Sequence, residues 1–353
     1  MIPKSLKFYA DVPTDAMWTY LRTLETRDGL RRALQSEVSE ENAEAVRASI
    51  RQAREHFAAA RATPLLTRPV LAYYGMVSLG KLLFLLDRND PISIDALENL
   101  ERRGHGLKHF DETSQSSVFV LEDGEIEVTA DGSSNPSPRG VFPHLARLLV
   151  GNSADAWLSQ RISILQLMRS VPQLETTLDQ VCNGTRNYLG LGVETLRHTD
   201  DSLEVTVSLS ESGLSTPDDV NALVPYLDTA GLKFEPGVKD RHGNASASFK
   251  LPHFEDSYAL LVREESYRHA STLPASFKMV RLDSLLASYM LMYALSIVAR
   301  YKPHKWTATL GGHTSSLLPV IETFMQTCDR WWPNLLLNRL TGNWLRFAHP
   351  SYW

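Results

Sequence analysis

Apolar positions along the chain follow two rhythms. Over 15–36 they recur at helical spacing, with Trp18, Leu21 and Leu24 on one side, which predicts a helix. A second helix is predicted from Ser39 to about Arg61. Ser39 is a capping residue, Glu40 and Glu41 suit a first turn, and Pro64 stops the pattern. Residues 70–87 predict a third helix, apolar on nearly every side, and 94–102 a short fourth. Near 115 the rhythm changes to alternation. Val118-Phe119-Val120-Leu121 and Glu125-Ile126-Glu127-Val128 flank Asp123-Gly124, which predicts a hairpin. Helical spacing returns over about 142–195, broken at Pro172, and a second β-rich stretch covers about 202–263, with strands at 203–209, 245–251 and 258–262. Helices are predicted again over 280–300 and 315–340. The implied class is α+β and predominantly α-helical: a helical body from both chain ends with a small antiparallel β insertion. The parts are 1–114, helical; 115–265, mixed; and 266–353, helical and packed on the first.

Composition narrows this picture. The 353 residues are 43% hydrophobic and 22% charged, ordinary for a globular chain able to bury a core without staples. Residues 284–299 carry no charge, but sixteen residues fall short of the roughly 20 needed to cross a bilayer. They read as a core helix, as does 69–86, which Lys81 interrupts. Met1-Ile2-Pro3-Lys4-Ser5 holds no apolar run of a signal peptide, so a cytoplasmic protein away from the membrane is expected. Two cysteines, Cys182 and Cys328, fit reduced thiols. The net charge of −5 excludes a basic field over the whole molecule. Residues 1–110 hold 16 Lys and Arg against 14 Asp and Glu, and the remainder 20 against 27, so any polyanion site must be a local patch.

Three stretches carry a family likeness. They are Arg68-Pro69-Val70-Leu71-Ala72-Tyr73-Tyr74-Gly75 with Leu79 and Lys81, Gly104-His105-Gly106-Leu107, and Tyr293 to Tyr301 followed by Pro303 and Trp306. Together, in this order, they resemble the signatures of the YaaC-like proteins, an uncharacterised bacterial family. Val70 stands where that family's pattern suggests Leu. The resemblance implies a soluble bacterial protein and brings no reaction with it.

Candidate chemistry gathers in two places. Arg102-Arg103-Gly104-His105-Gly106-Leu107-Lys108-His109 puts two histidines and three cations within eight residues. Histidine exchanges protons near neutral pH, and Arg or Lys holds a phosphate. Arg103, His105 and His109 are therefore catalytic candidates for cutting RNA without a metal, and Lys108 a ligand-binding one. Arg103 and His109 have the spacing of helical HEPN-type ribonucleases, although Gly104 and Gly106 disfavour one continuous helix. Those glycines would let the backbone approach an anion; the same residues suit a plain solvated turn. The second place is Arg300-Tyr301-Lys302-Pro303-His304-Lys305-Trp306, which closes the predicted helix over 280–300. Cations at a helix C-terminus answer its dipole, and Trp306 suits core packing. Alternatively Arg300, Tyr301, Lys305 and Trp306 form a basic, aromatic surface that stacks and neutralises a nucleotide. Lys81, inside an apolar helix, is a further ligand-binding candidate, with an acidic partner as the plainer expectation.

No metal site is expected, because the glycines spoil the helical spacing of His105 and His109. No cofactor is indicated either. The chain lacks a Walker A sequence, a Gly-x-Gly-x-x-Gly after a strand, His-Glu-x-x-His and Gly-x-Ser-x-Gly. The functional expectation is a binding module or ligand sensor that works with a protein partner or as a homo-oligomer, with a phosphate-bearing ligand or RNA at a local basic patch. The alternative is a metal-independent ribonuclease of defence or toxin type using Arg103, His105 and His109.

Overall fold

A computed structural model of the chain describes residues 5–34, 37–87, 90–111, 121–132, 137–182, 188–198, 203–208, 234–236, 246–251, 262–263, 270–274, 284–312 and 316–348. Strand β1 (Ser5–Tyr9) leads into α1 (Pro13–Thr23) and α2 (Arg27–Leu34). The single helix expected over 15–36 is thus two. Thr26 Oγ1 accepts the Gly29 N–H at 3.1 Å, as a capping side chain does, and restarts the helix. Helix α3 (Glu40–Ala62) begins as expected, with Ser39 Oγ accepting the Asn42 N–H at 3.1 Å. Next come α4 (Arg68–Leu85) and α5 (Ile94–Arg102).

Helix α3 lies along α4, and the two come close at Gly75: a Cβ there would sit 2.7 Å from the Phe57 ring. Helix α4 also meets the C-terminal helices α9 (Ser284–Tyr301) and α11 (Leu318–Thr341), while α10 (Pro303–Leu310) packs against α9. Tyr73 stands edge-on to Tyr289 and Tyr293, each with ring centroids 5.6 Å away. Apolar side chains of α1, α3, α4, α9 and α11 form one continuous buried cluster. The helical body is therefore built from both chain ends around one core, and the protein is predominantly α-helical with a smaller β component. Among the described residues, Ser284–Tyr301 is the one helix long and apolar enough to cross a membrane, and it is mostly buried inside this core.

Among the described residues three sheets accompany the helices. Strands β2 (Leu107–Asp111), β3 (Gly124–Val128) and β4 (Arg161–Ser163) form an antiparallel sheet in that order. Strand β3 was expected to pair with 118–121; it pairs with β2, Leu107 opposite Val128, while Leu121–Asp123 is a 3-10 turn and 112–120 lie outside the described residues. Helices α6 (Val141–Val150), α7 (Ile164–Arg169) and α8 (Glu175–Val181) bring the chain to the larger sheet. Its strands are β5 (Tyr188–His198), β6 (Leu203–Ser208), β7 (Phe234–Pro236), β8 (Ser246–Leu251), β9 (Val262–Arg263) and β10 (Ala270–Pro274), antiparallel in the order β7-β8-β6-β5-β10-β9. The helical pattern expected to reach 195 therefore stops at Val181. Gly190, Gly192, Val193 and Thr195 are poor helix formers, and the last two favour a strand. Residues 258–261 of the third expected strand lie outside the described residues.

Strand β11 (Trp344–Ala348) pairs in parallel with β1, Ser5 opposite Trp344, and Phe8 stacks on Phe347 at 5.0 Å. Pairing between such distant segments left no mark in local sequence. Cys182 and Cys328 are not joined in a disulfide, and Cys328 is buried.

Candidate functional site

The glycine-rich segment joins α5 to β2. Gly104 and Gly106 have φ of +92° and +79°, a left-handed backbone that suits glycine. The carbonyl of Gly104 accepts the Val141 N–H at 3.0 Å, and that of His105 the Phe142 N–H at 2.9 Å. The loop thereby satisfies the first N–H groups of α6. What its glycines admit is another backbone. A Cβ on Gly140, itself at φ +89°, would lie 2.5 Å from the Gly106 nitrogen and 2.6 Å from the Gly104 carbonyl oxygen. Gly140→Ala is accordingly expected to cost about 1–3 kcal/mol from backbone strain and crowding, seen as a lower denaturant midpoint. An unchanged midpoint would contradict this contact.

The side chain of His105 turns inward. Its Nδ1 lies 2.9 Å from the Tyr73 hydroxyl, with the Tyr73 ring edge-on. Burial and then the Arg300 charge hold this histidine below its ordinary pKa, against the pull of Glu101. Arg300 lies in the last turn of α9, so the glycine loop and the basic cluster converge. Its Nη1 donates to the Tyr74 hydroxyl at 2.7 Å, and its guanidinium carbon is 4.5 Å from the Tyr301 ring centroid. Its Nε is buried without a hydrogen-bond partner among the described residues. Among the described residues Arg300 pairs with no carboxylate. Tyr301 is 64% exposed, so this junction reaches solvent. Lys81, by contrast, has its answer: Nζ lies 2.9 Å from the Glu101 carboxylate.

A second cluster lies across β2. Alternation along the strand puts Lys108 and Phe110 on one face and His109 and Asp111 on the other. Lys108 and Arg161 both rest on the Phe110 ring, at 4.5 and 3.9 Å from its centroid. On the inner face, the Asp111 carboxylate takes ion pairs from Lys302 and, at 2.7 Å, from Lys305. Lys302 Nζ also donates to His109 Nδ1 at 3.3 Å. Burial, then Lys302, push the His109 pKa down to about 4, with Asp111 opposing. Burial raises the Asp111 carboxyl, and the bonds from Lys302 and Lys305 outweigh it, leaving the group below its ordinary range. His109 is thus a neutral, enclosed ring at neutral pH.

The remaining candidates lie apart. Arg103 is exposed at the end of α5, and His109 lies on β2 beyond the glycine loop, so the two do not share a helix. Trp306 is wholly buried, its indole N–H donating to the Leu66 carbonyl at 3.0 Å. No group of three or more His, Cys, Asp or Glu side chains is placed to hold a metal ion among the described residues. Tyr73, Tyr74, Glu101, Asp111 and Lys302 were not singled out from sequence as site residues. Tyr73-Tyr74 and Lys302 stand inside the quoted motifs, which was the available signal.

Compared with known proteins, the chain matches one family model, described as YaaC-like protein, over residues 14–340. No curated protein and no solved structure matches it.

Proposed function

We propose that this chain, which belongs to the YaaC-like family, is a cytoplasmic binding module that senses a phosphate-bearing ligand, a nucleotide or a stretch of RNA, at the Arg300 junction. One observation carries the reading: a part-buried guanidinium, with an unpartnered buried Nε, is answered by tyrosines and by no described carboxylate. Taking a charge out of water is costly unless an opposite charge meets it. A phosphate supplies that charge through short, charge-assisted hydrogen bonds. Tyr301 lies exposed beside it, and an aromatic ring there offers a face to a base. A protein partner or a second copy of the chain would then read the occupied state.

The ribonuclease reading has less support. General acid–base work at neutral pH favours a pKa near 7, and His109 is held at about 4 behind Lys302. The test is fluorescence polarisation with a short labelled RNA, competed by ATP. Wild-type protein is expected to bind, and Arg300→Gln to bind about ten- to a hundredfold more weakly, as loss of one charge-assisted contact implies. The RNA should remain intact. Absent binding, or equal binding by the variant, would overturn the proposal, and cleavage lost in His109→Ala would favour the ribonuclease.

A further inference from the structure

A groove of about 300 Å3 opens between α3, α4 and α11. Its floor is apolar, formed by Phe57, Ala60, Ala72 and Met325. Arg68, in the first turn of α4, stands on its wall. The Nε of Arg68 donates to the Thr63 carbonyl at 3.0 Å, which fixes the plane of the guanidinium. Neither of its Nη nitrogens has a partner among the described residues. The acid that lines the same groove, Asp329, is engaged by Arg61 at 3.1 Å. The groove therefore holds two cations and one anion, with the Arg68 charge left over.

We propose that this groove binds a small monocarboxylate with an aliphatic or aromatic tail. The carboxylate takes the two free Nη groups of Arg68, whose planar fork matches a carboxylate's two oxygens. The tail covers Phe57, Ala60, Ala72 and Met325. A monoanion suits the single unanswered charge, whereas a phosphate dianion would add charge beside Asp329. The volume lies at the small end of ligand pockets, which run from roughly 300 to 1,000 Å3, so the tail is short. This groove is distinct from the Arg300 junction. Ala72 lines the one and Tyr74 the other, and residues two apart on a helix point to opposite sides.

Ligand-detected saturation-transfer NMR with hexanoate tests this, with hexanamide as the uncharged match. Wild-type protein should bind hexanoate at least tenfold better than hexanamide. Arg68→Gln should bring hexanoate down to the level of the amide in a protein that stays folded, although it loses the bond to Thr63, and Arg300→Gln should leave hexanoate binding as it was. Failure of hexanoate to bind, equal binding of acid and amide, or full binding by a folded Arg68→Gln would overturn the proposal. The acid–amide comparison needs no variant, so it decides even where Arg68→Gln fails to fold. Because Arg300→Gln is predicted to act only on RNA and ATP, failure of one site is distinguishable from failure of the other.

Discussion

Trp306→Ala is expected to destabilise the protein by roughly 3–5 kcal/mol, the range for removing a large aromatic side chain from a core. Trp306 has no exposed surface, and its indole N–H donates to Leu66 at 3.0 Å. The substitution thus opens a cavity and leaves the Leu66 carbonyl without that donor. Trp306→Phe should recover most of the packing and lose only the hydrogen bond, about 1 kcal/mol plus the volume difference. Chemical denaturation reads both. An unchanged midpoint in Trp306→Ala, together with lost RNA binding, would return this residue to a stacking surface.

Acidification is expected to produce an effect of similar size through His109. In the unfolded chain a histidine titrates at about 6.5, and in the folded protein His109 titrates at about 4. Between those values the unfolded chain binds more protons. The histidine's contribution to stability is therefore complete above about pH 6.5 and is lost as pH falls toward about 4, amounting to roughly 3 kcal/mol at 1.36 kcal/mol per unit. His105, also held below its ordinary value, adds a change of the same sign. The difference between wild type and His109→Gln isolates the His109 share. Its stability should decline less steeply over this window. Parallel curves would show that His109 is not held neutral by its surroundings.

Much of the helical body was legible because its signals are local. Ser39, Pro64 and the apolar run of α4 set boundaries and burial without reference to distant residues. The same holds for α9, too apolar for a surface, which finds its cover on α4. The strands were harder. β3 pairs with β2 rather than with the nearer segment, and β1 with β11 across nearly the whole chain, and such choices depend on tertiary packing. β5 was read as helix because spacing alone outweighed its glycines and β-branched residues. Within the site, the charge clusters were visible as runs of Arg, Lys and His, but their partners were not. Nothing local in the sequence shows that Lys302 and Lys305 share Asp111 while Arg300, two residues earlier, faces Tyr74 and no described carboxylate. The break between α9 and α10 at Lys302 divides these neighbours between two clusters, and only the fold shows which receives an acid.

That uncompensated Arg300 is the centre of the functional account. Native mass spectrometry of the wild-type protein, incubated with ATP and then desalted, tests it most directly against Arg300→Gln. A nucleotide-bound species is expected in the wild-type spectrum and should be strongly depleted in the variant, with both proteins folded. A spectrum of bare wild-type protein, or equal retention by the two, would contradict it.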